Sequence, residues 1–225
     1  MDNLKIFNAK WTSRSAGPSL DDNKRTEIFL AGCKKACEGN PCADCFNSEL
    51  WFAENNVAEV TPQEALEQIV KYAPNKYITF VGGEPLDQLE PLARLCTLLK
   101  SMGYHIIVIT HHMLGEIISW RKQTAAAKEL LDSVDVIIDG EYDKSCRIWD
   151  ENKVGDGLHD VIGSGNQKVY DLRYFRDTGM SDNWAYAGDL EGLYMNINQH
   201  LTFVIKDEAW GRYNILMDKK VEASA

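Results

Sequence analysis

The strongest constraint on this chain is a rhythm of short apolar runs. Residues 28–31, 77–81, 105–110 and 134–138 are apolar at successive positions rather than at every second one. Strands of that kind need cover on both faces, which is the signature of a parallel sheet. Helical patterns lie between them. Thr61-Pro62-Gln63-Glu64 has capping-box spacing with proline at the first helical position, and Leu66, Ile69, Val70 and Ala73 continue one face toward Pro74. Leu89, Leu92, Leu95, Cys96 and Leu99 recur at the same spacing and stop before Gly103, a C-cap glycine. Residues 113–133 read as one helical stretch, and Lys168-Val169-Tyr170-Asp171-Leu172 as a fifth strand. The fold class expected is α/β, a parallel sheet with outer helices.

Such sheets bind ligands beyond the carboxyl ends of their strands. Four unusual segments fall there in turn. A cysteine cluster follows residues 28–31, Gly82-Gly83-Glu84-Pro85 follows 77–81, Thr110-His111 follows the third run and Asp139-Gly140 the fourth. Beyond about residue 173 the alternation is lost. A unit over 1–172 and a C-terminal extension over 173–225 are therefore expected to pack as one domain, with residues 194–197 and 201–205 as a possible β-hairpin.

Charge excludes some partners. Lys and Arg total 24 against 34 Asp and Glu, a net charge of −10, so neither nucleic acid nor an anionic membrane is an expected partner. The sequence has no 18-residue apolar run and no signal-peptide pattern, and it is read as cytoplasmic.

Of six cysteines, Cys33, Cys37, Cys42 and Cys45 crowd into thirteen residues with the spacing C-x3-C-x4-C-x2-C. A local cluster of thiols in a reducing compartment points to metal rather than to disulfides. Four thiolates could close a tetrahedral zinc site in a non-catalytic interaction module. Three could instead hold a [4Fe–4S] cluster with one iron left open. Gly82 and Gly83 would let a ligand approach the backbone, and Glu84 would present a carboxylate at the rim, suited to an ammonium group. Asp139 could meet an amine or a monovalent cation, or simply close a turn before Gly140. Cys96, on an apolar helix face, is read as core.

The cysteine loop from Gly32 to Trp51, the GGEP turn, Asp139-Gly140-Glu141-Tyr142 and Gly163-Ser164-Gly165-Asn166-Gln167-Lys168 together resemble the radical S-adenosylmethionine (SAM) enzymes. More narrowly, they resemble the activating proteins of anaerobic (class III) ribonucleoside-triphosphate reductases. The resemblance spans roughly residues 25–172. It implies a partial (β/α) barrel, a [4Fe–4S] cluster held by three cysteines, and SAM chelated to the fourth iron. It further implies reductive cleavage of SAM to a 5′-deoxyadenosyl radical, which takes hydrogen from a glycine of a large glycyl-radical subunit. An electron donor such as flavodoxin or ferredoxin would be a second partner. An activase of another glycyl-radical enzyme, or a small-molecule enzyme of the same chemistry, is the neighbouring alternative.

Carried over residue by residue, Cys33 and Cys45 would be cluster ligands under either alignment, because the family loop is C-x3-C-x2-C and this one holds five extra residues. Cys42 is preferred over Cys37 for the third place, since a Cys-x2-Cys bite closes the shorter loop. Phe46, Asn47, Gly82, Gly83, Glu84, Pro85, Thr110 and Asp139 would contact SAM, Phe46 by packing on the adenine unless it belongs to the core. His111 stands where the family commonly has glycine. It would touch SAM or, as the preferred reading, merely face solvent or cap a helix. No protein acid or base is nominated, because the radical would come from SAM.

Overall fold

The computed structural model describes residues 3–13, 17, 19, 24–52, 57–147, 163–172, 176 and 184–185. Eight strands form one sheet in the order β3-β1-β2-β4-β5-β6-β7-β8. They are β1 (Leu4–Ser13), β2 (Arg25–Leu30), β3 (Ala58–Val60), β4 (Tyr77–Gly82), β5 (His105–Ile109), β6 (Val136–Asp139), β7 (Lys168–Asp171) and β8 (Trp184–Ala185). The central four, β2, β4, β5 and β6, run parallel; β1 and β7 pair antiparallel with the outer two of these, and β3 and β8 pair antiparallel with β1 and β7 in turn. The fold is thus mixed α/β around a parallel centre. The residue 168–172 run extends that sheet, but against the direction of its neighbour.

Local sequence explains the connections. Helix α2 (Pro62–Tyr72) starts at a complete capping box: Thr61 accepts from the Glu64 N–H at 3.2 Å, and Glu64 accepts from the Thr61 N–H at 2.8 Å. Helix α3 (Leu89–Ser101) ends where the Gly103 and Tyr104 N–H groups return to the Lys100 and Leu99 carbonyls, with Gly103 at φ 77°. The stretch 113–133 is two helices, α4 (Leu114–Trp120) and α5 (Ala125–Ser133), rather than one. Thr124 separates them by capping α5 through the Ala127 N–H at 3.1 Å. The hairpin expected over 194–205 lies outside the described residues.

The sheet's two faces differ. Ile28 and Leu30, Ile78 and Phe80, Ile106 and Val108, and Ile137 join Leu66, Ile69, Leu92, Leu95, Cys96, Leu99, Ile117 and Leu130 in one buried core beneath the helices. Alternate residues Glu27, Phe29, Val81 and Ile109 face a cavity on the opposite side. Among the described residues, no helix is long and apolar enough to cross a membrane.

Candidate functional site

Because β2, β4, β5 and β6 are parallel, their carboxyl ends deliver four loops to one rim. The first is the cysteine loop. Its neck is closed by Gly32 N–H to Leu50 O at 2.7 Å and Cys33 N–H to Trp51 O at 3.1 Å. Within it Cys33 opens a single helical turn, α1 (Lys34–Cys37), whose N-terminal N–H, from Lys34, donates to Asp87 Oδ2 at 2.6 Å. That turn carries Cys37 to the outside, where its Sγ lies 3.6 Å from Trp51 O.

The rim encloses a cavity of about 380 Å³. Cys33, Cys42 and Cys45 line it together with Phe46, Asn47, Gly82, Gly83, Glu84, Thr110 and His111. Cys37 is not among its lining residues and instead lines a neighbouring groove that it shares with Cys33 and Trp51. Burial pushes the Cys33 and Cys42 thiols above their ordinary value, against the pull of backbone N–H groups from Ala36 and Tyr142 respectively. Three thiols on one cavity, two already met by backbone N–H groups, are donors that could hold a soft metal centre and leave a position open for a small ligand, although among the described residues their sulfur atoms do not all lie within 4.8 Å of one another. Binding there displaces protons, so loading weakens as pH falls. Among the described residues no group of three or more thiols lies close enough to share a single zinc ion, and Cys37 does not line the cavity.

The glycines of the GGEP turn have a packing reason beside the one the sequence offered. A Cβ on Gly82 would stand 2.2 Å from Leu30 O, and one on Gly83 2.0 Å from Gly32 O. The backbone of the preceding strand and loop therefore leaves no room for a side chain at either position, and both glycines line the cavity. Gly83 N–H to Leu30 O at 2.8 Å and Glu84 N–H to Gly32 O at 2.7 Å stitch the turn to the cysteine loop. Asn47 adds a third stitch through Nδ2 to Gly82 O at 3.0 Å.

Glu84 also departs from expectation. Its carboxylate is only 1% exposed and accepts four hydrogen bonds. Oε1 receives Leu86 N–H at 2.8 Å and Thr110 Oγ1 at 2.7 Å; Oε2 receives His111 N–H at 2.9 Å and His111 Nδ1 at 2.8 Å. Burial pushes its pKa up, but the His111 hydrogen bond and charge more than offset this and hold it below the ordinary carboxylate value. Burial likewise opposes charge on His111, and Glu84 outweighs it, so the imidazole titrates above its usual value.

Pro85 is buried at the start of the turn after Glu84, and Asp139 is fully buried behind Gly140; neither lines the cavity. Asp139 Oδ2 accepts from Leu114 N–H at 2.6 Å. Its Oδ1 has no partner within hydrogen-bond criteria among the described residues. Burial raises its pKa, opposed by that N–H and by Lys168. Phe46 is 44% exposed rather than core, its ring 4.6 Å from that of Tyr142 and 5.0 Å from the Arg147 guanidinium.

Sequence reasoning singled out no role for Tyr142, Gly163, Gln167, Lys10, Glu27 or Phe29, all of which line the cavity. Gln167 ties the last two loops together, accepting from Gly163 N–H at 2.9 Å and donating to Gly140 O at 2.9 Å. A usable signal existed in Glu27, a charge directly before the apolar run 28–31 within strand β2.

The chain matches, over residues 22–169, the family described as a 4Fe-4S single cluster domain. It is 30% identical over 156 residues to the anaerobic ribonucleoside-triphosphate reductase-activating protein of Enterobacteria phage T4, covering 65% of this chain and 83% of that protein. It is 33% identical over 99 residues to the pyruvate formate-lyase-activating enzyme of Clostridium pasteurianum, covering 42% of this chain and 37% of that protein. The corresponding enzyme of Staphylococcus epidermidis matches at 32% over 99 residues, 42% of this chain and 36% of the relative. The chain thus spans little more than a third of these longer activases.

Proposed function

The chain belongs to the 4Fe-4S single cluster domain family, among the radical SAM activases, and from that premise we propose that it installs a glycyl radical on an anaerobic ribonucleoside-triphosphate reductase. Its cofactors are a [4Fe–4S] cluster and SAM. When bound, the cluster supplies the single electron that cleaves SAM reductively, so the hard chemistry is the cofactor's and the protein provides placement and shielding.

The observation that carries the reading is the meeting of Cys33, Cys42 and Cys45 with the GGEP turn on one cavity. In this reading those three cysteines hold three irons. Thr110 and His111 fix Glu84, which holds the turn's floor, while Gly82, Gly83 and Asn47 lock that floor to the cysteine loop. Phe46 and Tyr142 form the aromatic wall available to the adenine. Asp139 supports the rim from behind by holding the start of α4. The sheet is read as a partial (β/α) barrel of the radical SAM type, supported by its one-sided helix layer and the cavity on its other face. A flavodoxin or ferredoxin is the proposed electron donor.

Coverage favours the reductase as partner: the chain spans 83% of the reductase activator but 37% of the C. pasteurianum pyruvate formate-lyase activator. The test is anaerobic reconstitution with iron and sulfide, followed by reductant, SAM and a purified large subunit. Methionine release and a glycyl-radical signal in electron paramagnetic resonance on the reductase are expected. A protein carrying its full cluster that releases no methionine refutes the chemistry, and a signal on pyruvate formate-lyase alone refutes the partner.

A further inference from the structure

We propose that His111 is a further recognition residue of this site, the cationic hydrogen-bond donor that receives the methionyl carboxylate of SAM. The inference rests on the activase reading and adds to it a side chain at a place where the resemblance leads one to expect glycine.

Three observations carry it. First, His111 lines the same cavity as the three cysteines and also borders the larger rim groove beside it, so it stands at the cavity's mouth. Second, it is clamped. Nδ1 lies 2.8 Å from Glu84 Oε2, the backbone N–H reaches the same oxygen at 2.9 Å, and the ring packs against that of His112 with centres 4.2 Å apart and planes tilted by 36°. Using Nδ1 on Glu84 fixes the ring's orientation and leaves Nε2, which has no hydrogen-bond partner among the described residues, for a ligand. Third, among the described residues the basic side chains on the cavity are Lys10 and His111. Lys10 is already engaged, with Nζ 3.7 Å from Glu27 Oε2 and 4.8 Å from the Phe29 ring centre. An anionic group entering the cavity therefore finds its cationic donor at His111.

Two other uses of the cluster fit less well. Glu84, His111 and His112 have ligating atoms within 4.8 Å of one another, a spacing that could hold a cation. Glu84 already accepts four hydrogen bonds, which fills the lone pairs a cation would need. Nor is Glu84 open to an ammonium group, for the same reason. The raised pKa of His111 supports the donor role, since Nε2 carries a proton more readily than an ordinary imidazole.

The experiment compares SAM with decarboxylated SAM, which lacks only the carboxylate, by equilibrium dialysis on anaerobically reconstituted protein. His111→Gln keeps a donor for Glu84 and removes the cation. It is expected to weaken SAM binding by about tenfold or more, the scale of a charged hydrogen bond, and to leave the decarboxylated analogue unchanged. Thr110→Val removes a different donor from Glu84 and should affect both ligands by the same factor. His111→Lys restores a cation and should keep the preference for SAM. Equal loss of both ligands in His111→Gln makes His111 a purely structural prop and overturns the proposal, as does no change in either. If His111→Gln loses its cluster, a cluster-bearing His111→Lys protein without preference for SAM overturns it too. Wild-type protein that holds its cluster but binds neither ligand refutes the activase reading itself, and this proposal with it.

Discussion

Gly83→Ala probes the joint on which the cavity depends. The new Cβ would lie 2.0 Å from Gly32 O and 2.7 Å from Gly32 C, both backbone atoms that no side-chain rotation can move. Ordinary contact distances require the two segments to part by more than about 1 Å. Parting them breaks Gly83 N–H to Leu30 O and Glu84 N–H to Gly32 O, at about 1 kcal/mol each. Overpacking adds about 1–3 kcal/mol, so the loss should be about 3–5 kcal/mol, a large share of an ordinary domain's stability. Gly115→Ala is the matched control. Its Cβ meets nothing within 4 Å inside α4, and it should stabilise by about 0.5–1 kcal/mol. Equilibrium urea unfolding measures both, with iron content after reconstitution as the functional readout. A Gly83→Ala protein within about 1 kcal/mol of wild type and fully loaded with iron would refute the claim that this joint shapes the site.

Other consequences are open to measurement. Phe80→Ala empties a fully buried position under the helices and should cost about 3–5 kcal/mol in urea unfolding. The Glu84–His111 pair predicts a pH window. The Glu84 share is complete above its ordinary 4.5 and is lost as pH falls through its lowered value; the His111 share is complete below 6.5 and is lost as pH rises through its raised value. The pair's contribution should therefore be greatest between those limits, and His111→Gln should flatten the unfolding midpoint there, with Asp87 and Glu141 left to act on the wild-type ring alone.

Much of this arrangement was legible in the sequence because it depends on local chemistry. Continuous apolar runs placed β2, β4, β5 and β6, and the capping box at Thr61 placed the start of α2. What escaped depends on contacts across the chain. β3 is three residues long with two of them exposed, too short to carry a pattern. The break at Thr124 was hidden because the apolar spacing resumes in step on its far side. The demand for glycine at 82 and 83 comes from the backbone of Leu30 and Gly32, some fifty positions earlier. Glu84 meets His111 only because β4 and β5 end side by side, and that turns an expected rim carboxylate into a buried hub. Both cysteine alignments satisfied the family spacing, and only the turn of α1 separates Cys37 from the cavity.

That separation is also where the account is most exposed. Cys37→Ser and Cys42→Ser, reconstituted anaerobically with iron and sulfide, should differ sharply. Cys37→Ser should keep the visible iron–sulfur absorbance and wild-type iron content, whereas Cys42→Ser should lose both. A cluster retained by Cys42→Ser and lost by Cys37→Ser would contradict the assignment of the cavity as the cluster site.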